Sequence, residues 1–247
     1  MKYQISDKTL ELANVVAKNR LLKMFLRPFY YSYKQHLSKK KNIYFQKNAL
    51  RVLDQFDQAL KEGGFFYTLA FGTLLGAIRE KGFIRHDVDI DVFMWIEDYS
   101  QDLHHCLFNH GFQLLHSFEV DDGMSGREET YIFEGITIDV FYIYPAIDKY
   151  SYCCDFLAFP DTATFPQSMK KHGGLIARRI EMPFCKERIK VPFENCYFYV
   201  PKNAEELLTF RYGKDYLIPN PNWDVKSFDN HIITWDGKLG IFRNYLD

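Results

Sequence analysis

Apolar residues in this chain recur with two different periods, which predict helices alternating with strands. Over the first half they predict a helix at 46–62, a buried strand at 65–71, a short helix from 73 to 79 or 80, and a strand at 88–95. The pair Gly63-Gly64 is expected to end the first helix, and Thr73 to cap the second. The pattern indicates an α+β fold.

The alternation continues to about residue 150 and then weakens. The predicted elements here are a helix at 99–110, strands at 112–120 and 130–133 joined around Asp121-Asp122-Gly123, and a strand at 136–144. Residues 151–180 are rich in turn formers and predict a long loop. Strand-like alternation at 189–200 and a helix opened by a capping box at Asn203 complete the pattern. We therefore expect a small mixed β-sheet flanked by helices.

Residues 1–45 predict a basic, amphipathic N-terminal arm, and residues 46–247 form the body. Pro28 is expected to break the arm into two helices. Ten Lys or Arg residues and no acid lie between Leu12 and Leu53; the whole chain carries −1, so the remainder carries −11. The arm can contact an anionic membrane surface through residues 12–53, or its apolar face can pack on the body.

Composition narrows the class of protein. With 47% hydrophobic and 17% aromatic residues, most of the chain is expected to fold into a globular body. No uncharged apolar run reaches the roughly 18 residues of a transmembrane helix, and the first residues lack a signal-peptide pattern. The five cysteines, odd in number and irregularly spaced, indicate a reducing compartment, so we expect a cytoplasmic protein. A zinc site among Cys153, Cys154, Cys185 and Cys196 lacks supporting C-x-x-C spacing.

The strongest chemical pattern is a set of three acids, Asp87, Asp89 and Asp91, at the head of an apolar run. Residues two apart in a strand project from the same face, so the three carboxylates are expected to crowd together. Like charges at that spacing repel one another unless a cation lies among them. Oxygen ligands suit a hard divalent cation, and we therefore expect Mg²⁺ or Mn²⁺ as the cofactor.

Two neighbouring features extend this metal hypothesis. Gly72-Thr73 begins a predicted helix, where backbone N–H groups can bind phosphate oxygens. Asp139 is a lone acid inside a strand, either a third ligand from a neighbouring strand or a solvent-exposed edge residue. A phosphate cradle beside an acidic metal site suits phosphoryl or nucleotidyl transfer. The acidic body offers no basic aromatic groove, so no nucleic-acid partner is expected.

These motifs resemble the signature of the LicD and fukutin family, a branch of the nucleotidyltransferase fold named for DNA polymerase β. The resemblance is carried by Gly72–Arg79, Gly82-Phe83-Ile84, Asp87–Asp91, Ile138–Phe141 and Tyr212–Pro219 with Trp223-Asp224. It runs from about Phe65 to Trp223 and leaves out the basic arm. The resemblance implies a nucleotidyltransferase-like fold for the body.

The resemblance also implies a metal-dependent phosphotransferase. Such enzymes take phosphocholine, ribitol phosphate or glycerol phosphate from a CDP-activated donor, place it on a hydroxyl of a cell-surface glycan, lipid-linked in some cases, and release CMP. A nucleotidyltransferase that uses an NTP and releases pyrophosphate is one alternative. A non-catalytic member of the fold that binds glycan or nucleotide is another.

Residue roles follow from the same resemblance. A fukutin-like alignment makes Asp87 and Asp89 the metal pair and is favoured, whereas a polymerase-like alignment selects Asp89 and Asp91. Asp139 is the third ligand under both, placed to deprotonate the acceptor hydroxyl.

Several further side chains are candidates for substrate binding. Arg79, Lys81, Arg85 and Lys214 could bind phosphate, as could Arg178 and Arg179, although Arg79 could instead form a structural salt bridge. Tyr212 and Trp223 could stack on cytosine or simply pack the tail.

Overall fold

The computed structural model describes residues 20–145, 150–220 and 231–246, without the side chains of residues 20–35. Its helices are α1 (Arg20–Gly63), α2 (Phe71–Arg79), α3 (Gln101–Asn109), α4 (Phe165–His172) and α5 (Ala204–Tyr212). Its strands are β1 (Thr68–Leu69), β2 (Ile90–Trp95), β3 (Gln113–Val120), β4 (Gly126–Phe133), β5 (Ile136–Ile143), β6 (Ser151–Leu157), β7 (Leu175–Met182), β8 (Arg188–Phe193), β9 (Cys196–Pro201) and β10 (Ile232–Asn244). The α+β class is therefore confirmed.

Eight strands form one mixed sheet in the order β1-β2-β5-β4-β3-β10-β7-β6, and β8 pairs with β9 in a separate hairpin. The observed sheet is mixed, as predicted, but it is larger than the small sheet that the sequence pattern indicated. Among the described strands, β2 and β5 form the one parallel pair. Because a parallel pair cannot be joined by a tight turn, the chain passes through α3 and the β3–β4 hairpin between them.

Apolar residues on one side of the sheet make the main core with α1. Phe45, Val52, Phe56 and Leu60 of α1 are buried there. They pack with the inward residues of β2 and β5, such as Val92 and Val140. The spacing of three and four residues in α1 is what places its apolar side chains on one stripe. The helix therefore covers one face of the sheet, and the candidate site lies on the other face.

The first described helix is longer than the sequence pattern predicted. The helix predicted at 46–62 begins at Arg20 and continues to Gly63. The predicted break at Pro28 is wrong, because the helix runs through that residue without interruption. Residues 1–19, and the side chains of the arm up to residue 35, lie outside what the structure describes.

The helix at 99–110, the strands of the 112–133 hairpin and the strands at 88–95 and 136–144 are confirmed, with some shifted ends. The predicted strand at 65–71 shortens to Thr68–Leu69, since Phe71 already begins α2. The single strand at 189–200 is instead the hairpin β8–β9, turning at Glu194 with φ +52°. The long strand β10 was not predicted.

The long loop predicted at 151–180 is wrong. This stretch contains β6, α4 and β7, with β6 and β7 paired antiparallel. Its turn formers mark the ends of α4. Thr164 caps the N-terminus by accepting a hydrogen bond from Gln167 N, and Gly173 ends the helix with φ +74°.

Two predicted helix caps are also wrong in detail. The residue before α2 is Ala70, which provides no side-chain cap, and Thr73 lies inside the helix. Asn203 precedes α5 but makes no capping bond; its amide donates to the carbonyl of Pro183 and to Glu206 Oε2. In both cases the polar side chain bonds to a neighbouring element instead.

In the described part of the chain, no helix combines the length and the hydropathy needed to cross a membrane.

Gly76 is required where α2 presses against the loop that leads to the acids. A Cβ at this position would lie 2.4 Å from the carbonyl oxygen of Gly82. We expect Gly76→Ala to lower the free energy of unfolding by about 1–3 kcal/mol, because two backbone segments must separate. Gly82→Ala is the matched control, since its Cβ meets the movable Glu194 side chain at 3.1 Å. Urea denaturation of both variants measures the difference; an equal loss in both would contradict it.

Candidate active site

The site begins with a lateral pair of carboxylates on β2 and β5, the second and third strands from one edge of the sheet. In the parallel pairing of β2 with β5, Asp91 stands directly beside Asp139. Their sequence neighbours Val92 and Val140 point to the opposite face and are buried in the core. We call the residues Asp87, Asp89, Asp91 and Asp139 the acid row. The parallel register is what brings together acids 48 positions apart in sequence.

The N-terminus of α2 lies against the acid row. A Cβ on Gly72 would lie 3.7 Å from Asp91 Oδ2 and 3.8 Å from Asp87 Oδ1, so this glycine faces both carboxylates. The backbone N–H of Gly72 hydrogen-bonds to the Asp91 carboxylate. Thr73 is buried, and its Oγ1 accepts a hydrogen bond of 2.9 Å from the backbone N–H of Asp91. Of the predicted cradle, Gly72 thus lies at the acids, whereas Thr73 ties α2 to β2.

Burial and mutual repulsion disfavour charge on the acid row. Burial is the largest cause in every case. It raises the pKa of Asp87 to about 7 and that of Asp139 to about 6. The pKa of Asp91 is raised well above its usual range by burial and then by the charges of its three neighbours, and burial also raises the pKa of Asp89. A bound cation would relieve both effects.

The donor set fits a hard divalent cation, because all four members are carboxylates that repel one another. Within the described residues, however, no three Asp, Glu, His or Cys side chains are already arranged as a metal-holding group. Binding would therefore require the carboxylates to turn toward a shared point. The five cysteines are free thiols. Among the described residues no such group includes the four cysteines considered for a zinc site.

Helix α1 holds the loop that carries the first acid. Asn42 Nδ2 donates to the carbonyl oxygens of Arg85 and Asp87, each at 2.9 Å. Gln46 Nε2 donates to the carbonyl of Ile84 at 3.0 Å. The charge of Lys41, in the same helix, lowers the pKa values of Asp89 and Asp139 against the effect of burial. The C-terminal part of the predicted arm therefore contributes directly to the site.

The cations predicted to bind phosphate differ in their exposure and in their contacts. Arg79 donates from Nε and Nη2 to Glu80 and from Nη1 to the carbonyl of Tyr216, so its salt bridge is to the adjacent Glu80 and not to the acid cluster. Lys81 and Arg85 are exposed on the loop before Asp87. Lys214 is exposed in the turn after α5.

The remaining residues predicted to bind substrate also differ in their surroundings. Tyr212 lies near Asp91 and Asp87, whose charges add to burial in raising its pKa. Trp223 lies outside the described residues. Arg178 is paired with Asp155 on the neighbouring strand β6, and Arg179 Nη2 lies 3.5 Å from Glu181.

Sequence reasoning missed two residues of β4 on the acid-row face. Thr130 Oγ1 donates to Asp139 Oδ1 at 2.5 Å, which stabilises the charged form of that carboxylate. Glu128 lies two residues away on the same face and has no hydrogen bond or ion pair among the described residues. Burial and the charges of Asp139, Asp155 and Asp91 raise its pKa well above its usual range. The signal available in the sequence was an adjacent pair of glutamates inside a strand pattern.

The next residue, Glu129, has the opposite environment. It points into the core, where it is 1% exposed. Its carboxylate accepts hydrogen bonds of 2.8 Å from the hydroxyls of Tyr131 and Tyr142 and lies 3.1 Å from His104 Nε2. These bonds overcome the effect of burial and lower its pKa.

Comparison with known proteins identifies relatives with transferase names. Residues 64–203 match the family model described as "LicD/FKTN/FKRP, nucleotidyltransferase domain". Over 187 residues the chain is 27% identical to the mouse protein named ribitol-5-phosphate transferase FKTN, and 26% identical to the human one. These matches cover 74% of this chain and 36% of the relatives. The chain thus corresponds to about a third of their length.

A bacterial relative matches over a shorter stretch. The Haemophilus influenzae protein named lipopolysaccharide cholinephosphotransferase LicD is 46% identical over 53 residues, which is 22% of this chain and 20% of the relative.

The raised pKa of Asp139 predicts a pH-dependent stability in metal-free buffer. Its folded pKa of about 6 lies above the unfolded value of about 4, so the folded state binds more protons between these values and loses stability as the pH rises through them. We expect Asp139→Asn to become more stable than wild type by up to about 3 kcal/mol between pH 4 and pH 7.5. Urea denaturation in EDTA at both pH values measures this difference.

Asp161→Asn is the matched control, because hydrogen bonds from Lys171 and His172 lower the pKa of the exposed Asp161. Its stability relative to wild type should change in the opposite direction. A gain for Asp161→Asn, or no gain for Asp139→Asn, would contradict the prediction.

Asn42 is predicted to position the acid loop. Asn42→Ala removes two hydrogen bonds to that loop, so we expect about 1–2 kcal/mol less stability and about 10- to 100-fold weaker Mn²⁺ binding. Asn48→Ala is the control, since Asn48 donates only within α1, to the carbonyl of Tyr44. Calorimetric titration with Mn²⁺ and thermal melting separate the two variants. Unchanged Mn²⁺ affinity in Asn42→Ala would show that the loop holds its position without this residue.

Proposed function

The chain belongs to the LicD/FKTN/FKRP family of nucleotidyltransferase domains, and from this premise we propose that it is a metal-dependent phosphotransferase. Its proposed donor is a CDP conjugate that carries ribitol phosphate, glycerol phosphate or phosphocholine. Its proposed acceptor is a hydroxyl group of a cell-surface glycan, free or lipid-linked. The mouse relative is named a ribitol-5-phosphate transferase and the bacterial one a cholinephosphotransferase, which supports a phospho-head group as the transferred unit.

The observation that carries this proposal is the acid row at the N-terminus of α2. Asp91 and Asp139 lie side by side in adjacent strands, and Gly72 faces the carboxylates of Asp91 and Asp87. Buried carboxylates with raised pKa values are unfavourable for a purely structural site, whereas a dianionic diphosphate and a divalent cation together suit it. A row of four acids, two of them facing a glycine at a helix start, is therefore better explained by phosphoryl transfer than by packing.

We propose that Asp89, Asp91 and Asp139 hold the metal, because the sheet register places Asp91 beside Asp139. Asp87 belongs to a turn, where its Oδ2 accepts a hydrogen bond from Ile84 N. This choice follows the polymerase-like alignment and departs from the fukutin-like one. A bound Mg²⁺ would neutralise charge on the donor diphosphate and on the leaving phosphate.

The chain's own groups then act on the acceptor. Asp139 is the proposed general base that takes the proton from the acceptor hydroxyl. The hydroxyl oxygen forms a bond to the phosphorus that carries the head group, and the bond from that phosphorus to the bridging oxygen breaks. The bridging oxygen leaves with its electron pair as part of CMP. Thr130 holds the Asp139 carboxylate through its hydroxyl.

We propose that the reaction takes place in the cytoplasm, where CDP conjugates would meet acceptors at the membrane surface. The ten cations between residues 12 and 53 support peripheral contact with anionic lipid. The structure describes neither residues 12–19 of this segment nor the side chains of residues 20–35. The described part, from residue 36, packs on or beside the body through residues such as Phe45.

The proposed reaction can be tested by product analysis. Purified protein is incubated with Mg²⁺, a glycan acceptor and either CDP-ribitol, CDP-glycerol, CDP-choline or each of the four NTPs. We expect CMP from one CDP conjugate and no pyrophosphate from the NTPs. Pyrophosphate without CMP would instead establish a nucleotidyltransferase, and neither product would favour a binding protein.

Variants of the acid row test the assignment of ligands. Asp89→Ala and Asp91→Ala should each lower kcat/KM by at least about 100-fold, since loss of even an outer-shell partner commonly costs 10- to 100-fold. Asp87→Ala should cost less. If Asp87→Ala abolishes turnover and Asp91→Ala does not, the fukutin-like alignment is the correct one.

A further inference from the structure

A narrow cleft adjoins the acid row on the side away from α1. Its walls are mostly apolar and come from α2, α5, β2 and β7, including Phe71, Phe93, Met182 and Leu207. Arg211 of α5 also lines this cleft. The lining also includes His231 and Glu181, and Glu181 lies 3.5 Å from Arg179 Nη2. The position of a guanidinium group among these mostly apolar walls needs an explanation.

Arg211 lacks the partners that similar arginines have. Its Nε is buried with no hydrogen-bond acceptor, as are those of Arg127 and Arg179. Arg127 nevertheless pairs with Glu119 at 2.8 Å, and Arg179 lies 3.5 Å from Glu181. Among the described residues no carboxylate pairs with Arg211, whose guanidinium carbon instead lies 5.6 Å from the ring centre of Phe71. Leaving a buried polar group without a partner costs about 1–3 kcal/mol, and more for a charged one.

The position of Phe71 connects this cation to the acid row. Phe71 is the first residue of α2 and the neighbour of Gly72. Its ring packs edge-to-face on Phe93 at 5.0 Å and on Phe141 at 4.8 Å. These two phenylalanines follow Asp91 and Asp139 by two residues, so they lie on the same face, about 7 Å further along the strands. One aromatic layer therefore separates the unpaired cation from the four acids.

We infer that Arg211 binds a phosphate group of a substrate at the edge of the site, a role that rests on the proposed phosphotransfer function. A guanidinium presents several N–H donors in one plane and matches phosphate oxygens better than any other side chain. The aromatic layer keeps it from the acid-row carboxylates, which would otherwise neutralise it. The phosphate belongs either to the donor diphosphate or to a phosphorylated acceptor, and the two sources are distinguished by binding measurements.

The test compares Arg211→Met with Arg243→Met in calorimetric titrations containing Mg²⁺. Methionine keeps much of the apolar stem in both variants and both lose one positive charge, but Arg243 lies on β10, where its Nη2 is 3.3 Å from Glu119 Oε2. CDP is titrated into each protein to examine the donor side. Inorganic phosphate is then titrated into each protein saturated with CDP, to examine a second anion site.

If Arg211 contacts the donor, its loss should weaken CDP binding by about 10- to 100-fold, the equivalent of one charge-assisted hydrogen bond. If it contacts an acceptor phosphate, CDP binding stays unchanged and binding of inorganic phosphate is lost. Arg243→Met should change neither. Arg211→Lys should restore part of the affinity. The melting temperature of ligand-free Arg211→Met should fall little, because among the described residues the arginine forms no ion pair and its guanidinium carbon lies 5.6 Å from the ring centre of Phe71.

Two results would overturn the inference: wild type binds neither CDP nor phosphate, or both affinities are the same in Arg211→Met as in wild type. A lower melting temperature of the ligand-free variant with unchanged affinities would assign Arg211 a structural role instead. The proposed function is judged separately, by release of CMP from wild type and its loss in Asp89→Ala.

Discussion

Electrostatic repulsion within the acid row is the constraint on which the rest of the structure depends. Four carboxylates are held together on one face of a sheet, and burial makes their charges still less favourable. Such an arrangement persists only if the surrounding structure fixes it. The parallel β2–β5 pair fixes two of the acids laterally, the Thr73 hydroxyl fixes the backbone of Asp91, and α1 fixes the turn before Asp87.

The stabilising interactions lie mostly on the other side of the sheet. There α1 buries an apolar stripe against β2 and β5, and Glu129 is satisfied by three neighbouring side chains. This division between a stabilising face and a face with unsatisfied charge is common where a protein gives up stability for function. It also explains why α1, which looked like an appendage, is integral to the site. The residues that pack against the core and those that hold the acid loop lie on the same helix.

The members of the candidate site are easier to propose from sequence than their arrangement. Spacing singles out Asp87, Asp89, Asp91 and Asp139, because period-two alternation and an acid inside a strand are local signals. The lateral contact between Asp91 and Asp139 depends on strand pairing, which no local pattern encodes.

Other residues acquired unexpected roles for the same reason. Thr73 resembled a helix cap, yet its hydroxyl accepts a bond from the next strand. Turn formers between 151 and 180 suggested a loop because Thr164 and Gly173 also mark helix ends. Asn42 could not be found from sequence, since its two partners lie more than 40 residues away.

The adjacent residues Glu128 and Glu129 have a consequence for the pairing of β4. Glu128 faces the acid row and has no hydrogen bond or ion pair within the described part of the chain, whereas Glu129 faces the core and has several. A shift of β4 by one residue would exchange the two faces, because side chains alternate along a strand. Glu128 would then enter the core. The hydroxyl of Tyr142 and the imidazole of His104 would lose the Glu129 carboxylate to which they bond. The pair therefore discriminates against misaligned strands during folding, so that an insertion or deletion within β4 is far less tolerable than one in the turns beside it.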